Sequence, residues 1–220
     1  MAAATKIKRF QPKRLSKMAK SADIVHLHTE PSAADASRLG YVGRKPSSTP
    51  RDSDGWFTPP EYIQSARAVM DGIDLDPFSS AIANETVKAK HYFSESRSAM
   101  THDWSVVEKT RVFMNPPYSS SLITRAVNRF IEQWQQGAFD QGIVLVNNAT
   151  DTRWFKTLAR HCGAICFTDH RIGFWNADNK RISNNTRGQA FFYFGNRRKK
   201  FSKEFRKHGF VVVPDNDSTE

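Results

Sequence analysis

The stretch TRVFMNPPYSSSLITRAVNRFIEQWQQG, Thr110 to Gly137, holds a strand, a stiff turn and a helix in one line. Val112, Phe113 and Met114 form an apolar run of the kind that a buried strand needs. Pro116 and Pro117 halt it, because each lacks a backbone donor and fixes φ near about −65°. Asn115 therefore falls at the strand's end on a stiff backbone, with Tyr118 close by. Beyond the turn, Leu122, Ala126, Phe130 and Trp134 recur four apart, which predicts an amphipathic helix that Gly137 ends.

The same alternation continues on both sides. Upstream, TPPEYIQSARAVMDG reads as a helix with Thr58 as capping hydroxyl, Pro59 at the first helical position, Glu61 closing a capping box and Gly72 as its stop. GIDLDPFSS is a short strand that Pro77 turns away just after Asp76, and ANETVKAKHYF a short helix followed by a second strand. Downstream come the buried-type strand GIVLVNNAT, the helix DTRWFKTLARHC, and the strands AICFTD and QAFFYFG. Strands alternating with helices predict an α/β fold, a mostly parallel sheet with helices on both faces. Ligands bind such sheets at the carboxyl edge. DPFSS and NPPY both fall there, so Asp76 and Asn115 are expected to face one crevice from different strands.

Charge divides the 220 residues. Residues 1–50 carry a net +7, residues 51–186 balance, residues 187–208 carry +7 and the tail −3, within a total of +11. We expect a basic arm and linker over 1–55, where PSAADASRLGYVGRKPSSTPRDSDG offers little to a core. An α/β body follows over 56–196, and a basic segment with an acidic tail over 197–220. Two basic extensions on a neutral body are the footprint of a polyanion partner. No run approaches the ~20 apolar residues of a membrane span, and no signal-type stretch opens the chain, so a cytoplasmic protein is expected. Cys162 and Cys166 lack a second pair for zinc and read as reduced, packed thiols, and no histidine pair suggests another metal.

Taken in order, DGWFTPPEY, DPFSSAIANETVKAKHYF, VFMNPPYSSS, NATDTRWF and HRIGFW resemble the phage-type DNA N-6-adenine methyltransferases of the Dam family over roughly residues 54–195. The resemblance implies a Rossmann-like sheet, S-adenosylmethionine as cofactor, DNA as partner, and a phage-encoded enzyme of the bacterial cytoplasm with a role such as protection from restriction. It implies that Trp56, Thr58 and Pro59 lie near the methionine end of the cofactor and that Asp76, Pro77, Phe78 and Ser79 form its principal loop. Glu95 and Asp103 are the candidates for its ribose. Asn115, Pro116, Pro117 and Tyr118 form the catalytic turn. Ser119, Arg171, Lys180, Arg181, Arg187, Arg197 and Arg198 are the candidate DNA contacts. Ser79 and Ser80 stand where many relatives have a glycine-containing turn.

The chemistry of an exocyclic amine explains the turn without the family. Adenine N6 is a poor nucleophile because its lone pair is delocalised into the ring. Two acceptors aimed at its N–H bonds, the Asn115 amide oxygen and the Pro116 carbonyl, favour the pyramidal amine that attacks a sulfonium methyl. Pro117 offers no competing donor, and the Tyr118 ring can stack on a base that has left the duplex. Methylation at cytosine carbon 5 needs a thiolate, and neither cysteine sits at such a turn. The alternatives are the same transfer to RNA or to a protein glutamine, and a catalytically silent DNA-binding protein on the same scaffold. For direct reading of bases the body offers one uncommitted stretch, Arg171 to Gly188. It is short, so low sequence specificity is expected.

Overall fold

The computed structural model describes residues 56–94, 96–176, 180–182 and 185–215. The basic arm and linker over 1–55, and Glu95, lie outside the described residues. The chain divides into two units, residues 1–47 and 48–220, and the description concerns the second.

In chain order the elements are α1 (Pro60–Met70), β1 (Leu75–Asp76), α2 (Ala81–Val87), β2 (His91–Tyr92), α3 (Ser96–Thr101), β3 (Arg111–Met114) and α4 (Ser120–Gln135). They continue with β4 (Gln141–Asn147), α5 (Arg153–His161), β5 (Ala164–Thr168), β6 (Gln189–Phe194), α6 (Arg198–Phe205) and β7 (Gly209–Val212). The strands form one sheet in the order β2-β1-β3-β4-β6-β5-β7. β1 to β4 pair in parallel, whereas β6 is antiparallel to both β4 and β5, and β7 is antiparallel to β5. This is a mixed α/β sheet with a parallel core, and the expectation of a mostly parallel sheet holds for that core alone. The reversal of β6 follows from its connection. The segment after β5 returns along the carboxyl edge without crossing the sheet, so β6 must enter from that edge and run back.

Alternate residues of the strands face two cores. Phe113, Ile143, Leu145, Phe191 and Tyr193 pack beneath α1 and α6. Val112, Met114, Val144, Val146, Phe192 and Phe194 pack beneath α4 and α5. Helices therefore cover both faces. The connection from β1 to β2 runs through α2 on the α1 side and that from β3 to β4 through α4 on the other, as right-handed crossovers moving in opposite directions require. α4 follows its expected pattern and stops at Gly137, whose φ of 73° is the left-handed conformation glycine adopts freely. Gly142 is required by closeness, since a Cβ there would lie 2.7 Å from the Phe130 ring.

Two local readings are corrected. α1 begins at Pro60, its flank Pro59 holds φ −59° and ψ 148°, and no side chain caps it, so Thr58 and Glu61 form no capping box. The second proline of the pair takes the first helical position because the residue before a proline is pushed out of the helical region. The helix ends on Asp71, itself left-handed at φ 62°, one residue before Gly72. α6 and β7 lie in a segment that reads as charge alone. Phe201 and Phe205 are fully buried under the sheet while the basic residues of α6 face outward.

Asp74 pins the parallel core at its amino edge, accepting from Arg111 Nε at 2.6 Å and from Lys90 Nζ at 2.9 Å. Cys162 and Cys166 are buried and form no disulfide, and burial pushes both thiols up to about 12. Among the described residues no cluster could hold a metal ion, and no helix is long and apolar enough to cross a membrane.

Candidate active site

β1 ends at Asp76 and β3 at Met114. These neighbouring strands lie where the strand order reverses, so their following turns leave the carboxyl edge side by side. Between the turns lies a cleft of about 220 Å³, walled by Trp56, Phe57, Thr58, Asp76, Phe78, Ser79, Asn115, Pro116, Pro117 and Tyr118 among others. The two motifs that sequence alone expected to meet do meet. Thr58, freed from capping, is buried in the cleft wall.

The Asn115 amide is held at both ends. Its Nδ2 donates to the Trp56 carbonyl at 3.2 Å, and the Tyr118 hydroxyl donates to its Oδ1 at 2.8 Å. A carbonyl only accepts, so the bond to Trp56 fixes which end of the amide is nitrogen. Oδ1 keeps a second lone pair. Burial raises the Tyr118 pKa far above the ordinary tyrosine range, so this hydroxyl remains a donor across the working pH range.

Asp76 is 3% exposed. Its Oδ1 accepts the Phe78 N–H at 3.2 Å. Burial pushes its pKa up to about 7, moderated by that N–H and by the nearby Ser79 hydroxyl, and no cation contributes. Ser79 Oγ and Trp56 Nε1 are buried without a hydrogen-bond partner of ordinary geometry. The cleft thus holds a carboxyl that no cation pairs and an indole N–H without a partner, which a ligand with a positive charge and polar edges would satisfy. Ser80 instead caps α2, accepting the Ala83 N–H at 3.1 Å, which accounts for a serine in place of a turn glycine.

A family model described as DNA N-6-adenine-methyltransferase (Dam) matches residues 46–211. The chain belongs to this family. Membership implies DNA adenine N6-methyltransferase activity, and Dam-family methyltransferases generally use S-adenosylmethionine. No curated protein matches the chain significantly.

Around this Dam-family cleft the remaining candidates separate. The Phe57 N–H donates to the Trp175 carbonyl at 2.7 Å and the Trp175 N–H to the Phe57 carbonyl at 3.0 Å, while the Trp56 and Phe174 rings stack 5.4 Å apart. The segment after β5 is thereby stitched to the cleft wall, and its Arg171, Lys180, Arg181 and Arg187 are exposed. His170 bonds the Tyr62 hydroxyl at 2.9 Å and Asp169 at 2.5 Å, a structural link to α1. Pro59 and Pro77 are buried and do not line the cleft, and Ser119 flanks the start of α4 with its hydroxyl unbonded. Asp103 is not brought to the cleft, because its carboxylate accepts the Ser105 N–H at 3.0 Å in an exposed local turn. Arg197 follows β6 at the opposite edge, committed to Asp71 and the Val69 carbonyl, and Arg198 begins α6 there, its stem against Gly163. Phe57, Phe93, Ser94, Phe113 and Leu122 line the cleft unannounced. Phe93 and Ser94 follow β2, so applying the carboxyl-edge rule to a third strand would have found them.

Proposed function

We propose that this chain binds S-adenosylmethionine between the turns at 76–80 and 115–118 and transfers its methyl group to the N6 amine of an adenine flipped out of DNA. The observation that carries this reading is the doubly held Asn115 amide, whose Oδ1 keeps a free lone pair at the cleft. The strand reversal between β1 and β3, with a cleft at the switch point, supports a Rossmann-like reading of the sheet.

The cleft fits the cofactor. Its sulfonium and ammonium are the positive charges that a buried Asp76 without a cation lacks, and Trp56 Nε1 is free to bond its polar edges. Thr58 and Phe78 line the same wall, with Pro59 and Pro77 stiffening the backbone behind it. Of the two ribose candidates, Asp103 is engaged elsewhere, and Glu95 lies outside the described residues.

Bound there, S-adenosylmethionine supplies an electrophilic methyl on sulfur. Asn115 Oδ1 and the Pro116 carbonyl accept the two N–H bonds of the target amine and hold its lone pair out of conjugation with the ring. As the N–C bond forms and the C–S bond breaks, positive charge grows on the amine, and both acceptors bind it more strongly than they bind the ground state. The sulfur leaves as a neutral thioether, and the cationic methylated amine, acidic because the ring reclaims its lone pair, releases one proton to solvent water. Tyr118 orients Asn115 through its hydroxyl and offers its ring to the base, a contact typically worth ~1–3 kcal/mol. In this reading the target leaves the helix, because a base within the duplex stack keeps its N6 amine out of reach of a cleft. Exposed Arg171, Lys180, Arg181 and Arg187, on the segment whose Trp175 bonds the cleft-lining Phe57, suit phosphates, which position DNA without reading its sequence.

The test is incorporation of labelled methyl into DNA, RNA and protein by the chain and by Asn115→Ala. We expect label in DNA adenine N6, and a loss of ~10²–10³ in kcat with folding retained in the variant. Label in RNA or protein alone, or an undiminished Asn115→Ala, overturns the reading.

A further inference from the structure

We propose that the outer edge of β7 pairs with the β7 of a second copy, making a two-fold dimer through an antiparallel β-ladder centred on Val211. β7 is the last strand of the sheet, and its inner edge is taken by β5. The Asp169 N–H donates to the His208 carbonyl at 3.2 Å. Bonded and unbonded pairs alternate along an antiparallel ladder, so Phe210 and Val212 also bond inward to their partners Phe167 and Ile165. Gly209, Val211 and, by continuation, Val213 therefore turn their N–H and C=O groups away from the sheet. Among the described residues this edge has no partner strand, and an unpaired edge is a template for another strand.

The apolar surface points to the same place. Among the described residues the exposed large hydrophobics are Ile82, Phe210, Val212 and Val213, and all but Ile82 belong to this edge. Phe210 is 61% exposed although its ring stacks on Phe167 at 5.2 Å.

The sequence KHGFVVVPD, Lys207 to Asp215, matches itself in charge in one register. With Val211 opposite Val211, Gly209 meets Val213 of the second copy and every outward N–H and C=O between them finds a partner. Phe210 then faces Val212 of the second copy in a close unbonded pair, apolar on apolar. Lys207 faces Asp215 of the second copy, base on acid, at both ends of the ladder. Pro214 sits at an inward-bonding position, so its missing donor costs the outer edge nothing. A shift by one residue turns inward-bonding groups to the interface. Centring on Phe210 or Val212 also pairs the outward groups, and centring on Gly209 or Val213 sets Phe210 against His208 or residue 216, but each of these registers parts Lys207 from Asp215. The occupant that this edge matches in shape and charge is its own copy.

Sedimentation of the full-length chain across micromolar to submillimolar concentrations tests this. We expect a reversible dimer. Val211→Pro, which removes an N–H that points to solvent in the monomer, should abolish dimerisation while circular dichroism and Tm show a retained fold. Lys207→Glu and Asp215→Lys should each weaken the dimer about ten-fold, from opposed charges turned to like ones at both ends, and the double variant should restore it. A chain that stays monomeric throughout overturns the proposal, as does a monomer whose outward β7 amides resist hydrogen exchange, which would assign the edge to the chain's own segment. A dimer indifferent to Val211→Pro and to both charge changes overturns it equally.

Discussion

Asp76→Asn separates what the buried carboxylate costs the fold from what it gives the ligand. Burial pushes Asp76 up to about 7, from an ordinary aspartate value of 3.8. At ~1.4 kcal/mol per pKa unit, keeping it ionised in the empty cleft costs on the order of 4 kcal/mol. The sign follows from the raised folded value: the group's contribution to stability is fully present below about pH 4 and is lost as pH rises towards 7, because the folded state holds a proton that the unfolded chain has released. An asparagine keeps the shape and still accepts the Phe78 N–H, but it buries an NH₂ with no assigned partner, a penalty of ~1–3 kcal/mol. Above pH 7 the variant should therefore be more stable by a net ~1–3 kcal/mol, or about 3–9 °C in Tm for a chain of this size. At pH 5, where the wild-type carboxyl is protonated, the advantage should vanish or reverse. S-adenosylmethionine affinity should fall in the variant at pH 8. In the wild type it should weaken as pH drops from 7 to 5, because binding then requires Asp76 to release its proton. Differential scanning calorimetry at pH 5 and pH 8, with titration calorimetry for the cofactor, measures both. A Tm difference that stays flat with pH, or a variant that binds the cofactor as tightly as wild type, refutes the reasoning.

Tyr118→Phe keeps the ring and removes the 2.8 Å bond to Asn115 Oδ1. We expect kcat to fall about three- to ten-fold, the worth of one ordinary hydrogen bond, with DNA affinity unchanged in a filter-binding assay. Arg181→Ala should lower the salt slope of DNA binding by about 0.9, one phosphate contact. Arg197→Ala should leave that slope alone and lower Tm, because its guanidinium is spent on Asp71 and Val69 at the far edge. Deleting residues 1–50 should flatten the salt slope while a nanopore map of modified adenines shifts little. Methylation confined to one long motif would contradict the low specificity argued from the short loop.

How far the sequence could be read depended on whether a signal was local. The strand-turn-helix of 110–137 was legible because proline and glycine act on their own backbone, whatever surrounds them. The meeting of Asp76 with Asn115 was legible because the edge rule needs only strand order and direction. The entry to α1 was missed although its cause is local: the restriction on a residue before proline moves the first helical position from Pro59 to Pro60 and frees Thr58 for the cleft wall. α6 was hidden by its own charge. In RKKFSKEF the lysines dominate the composition, and the two phenylalanines four apart, one narrow stripe, gain meaning only when a sheet lies beneath them. The reversed β6 left no mark in its residues, because a buried strand reads the same in either direction. The hold of Trp56 on Asn115 spans 59 positions and could be found only in three dimensions.

The short run DLD, Asp74 to Asp76, gives the strongest physical reason to place the ligand where we do. Both aspartates are nearly inaccessible, at 1% and 3% exposure. Burial raises both pKa values, and for Asp74 the hydrogen bonds from Arg111 and Lys90 overrule it and hold the group at about 2. Nothing overrules it at Asp76, which stands near 7. A fold that needed only a packed strand end could have placed an asparagine or an apolar residue at 76, and one that needed an ion pair has shown at 74 how to build it. The two carboxylates differ in which edge of the sheet they meet. Asp74 meets the closed amino edge, where partners from β3 and β2 converge, and Asp76 meets the carboxyl edge, where the turns diverge into a cleft. An uncompensated buried charge persists when something outside the chain completes it. The proposed function supplies Asp76 with a cation that enters from solvent, on the same wall as the unpartnered Trp56 Nε1, and assigns the Asn115 amide that lines the same cleft as acceptor for the target amine.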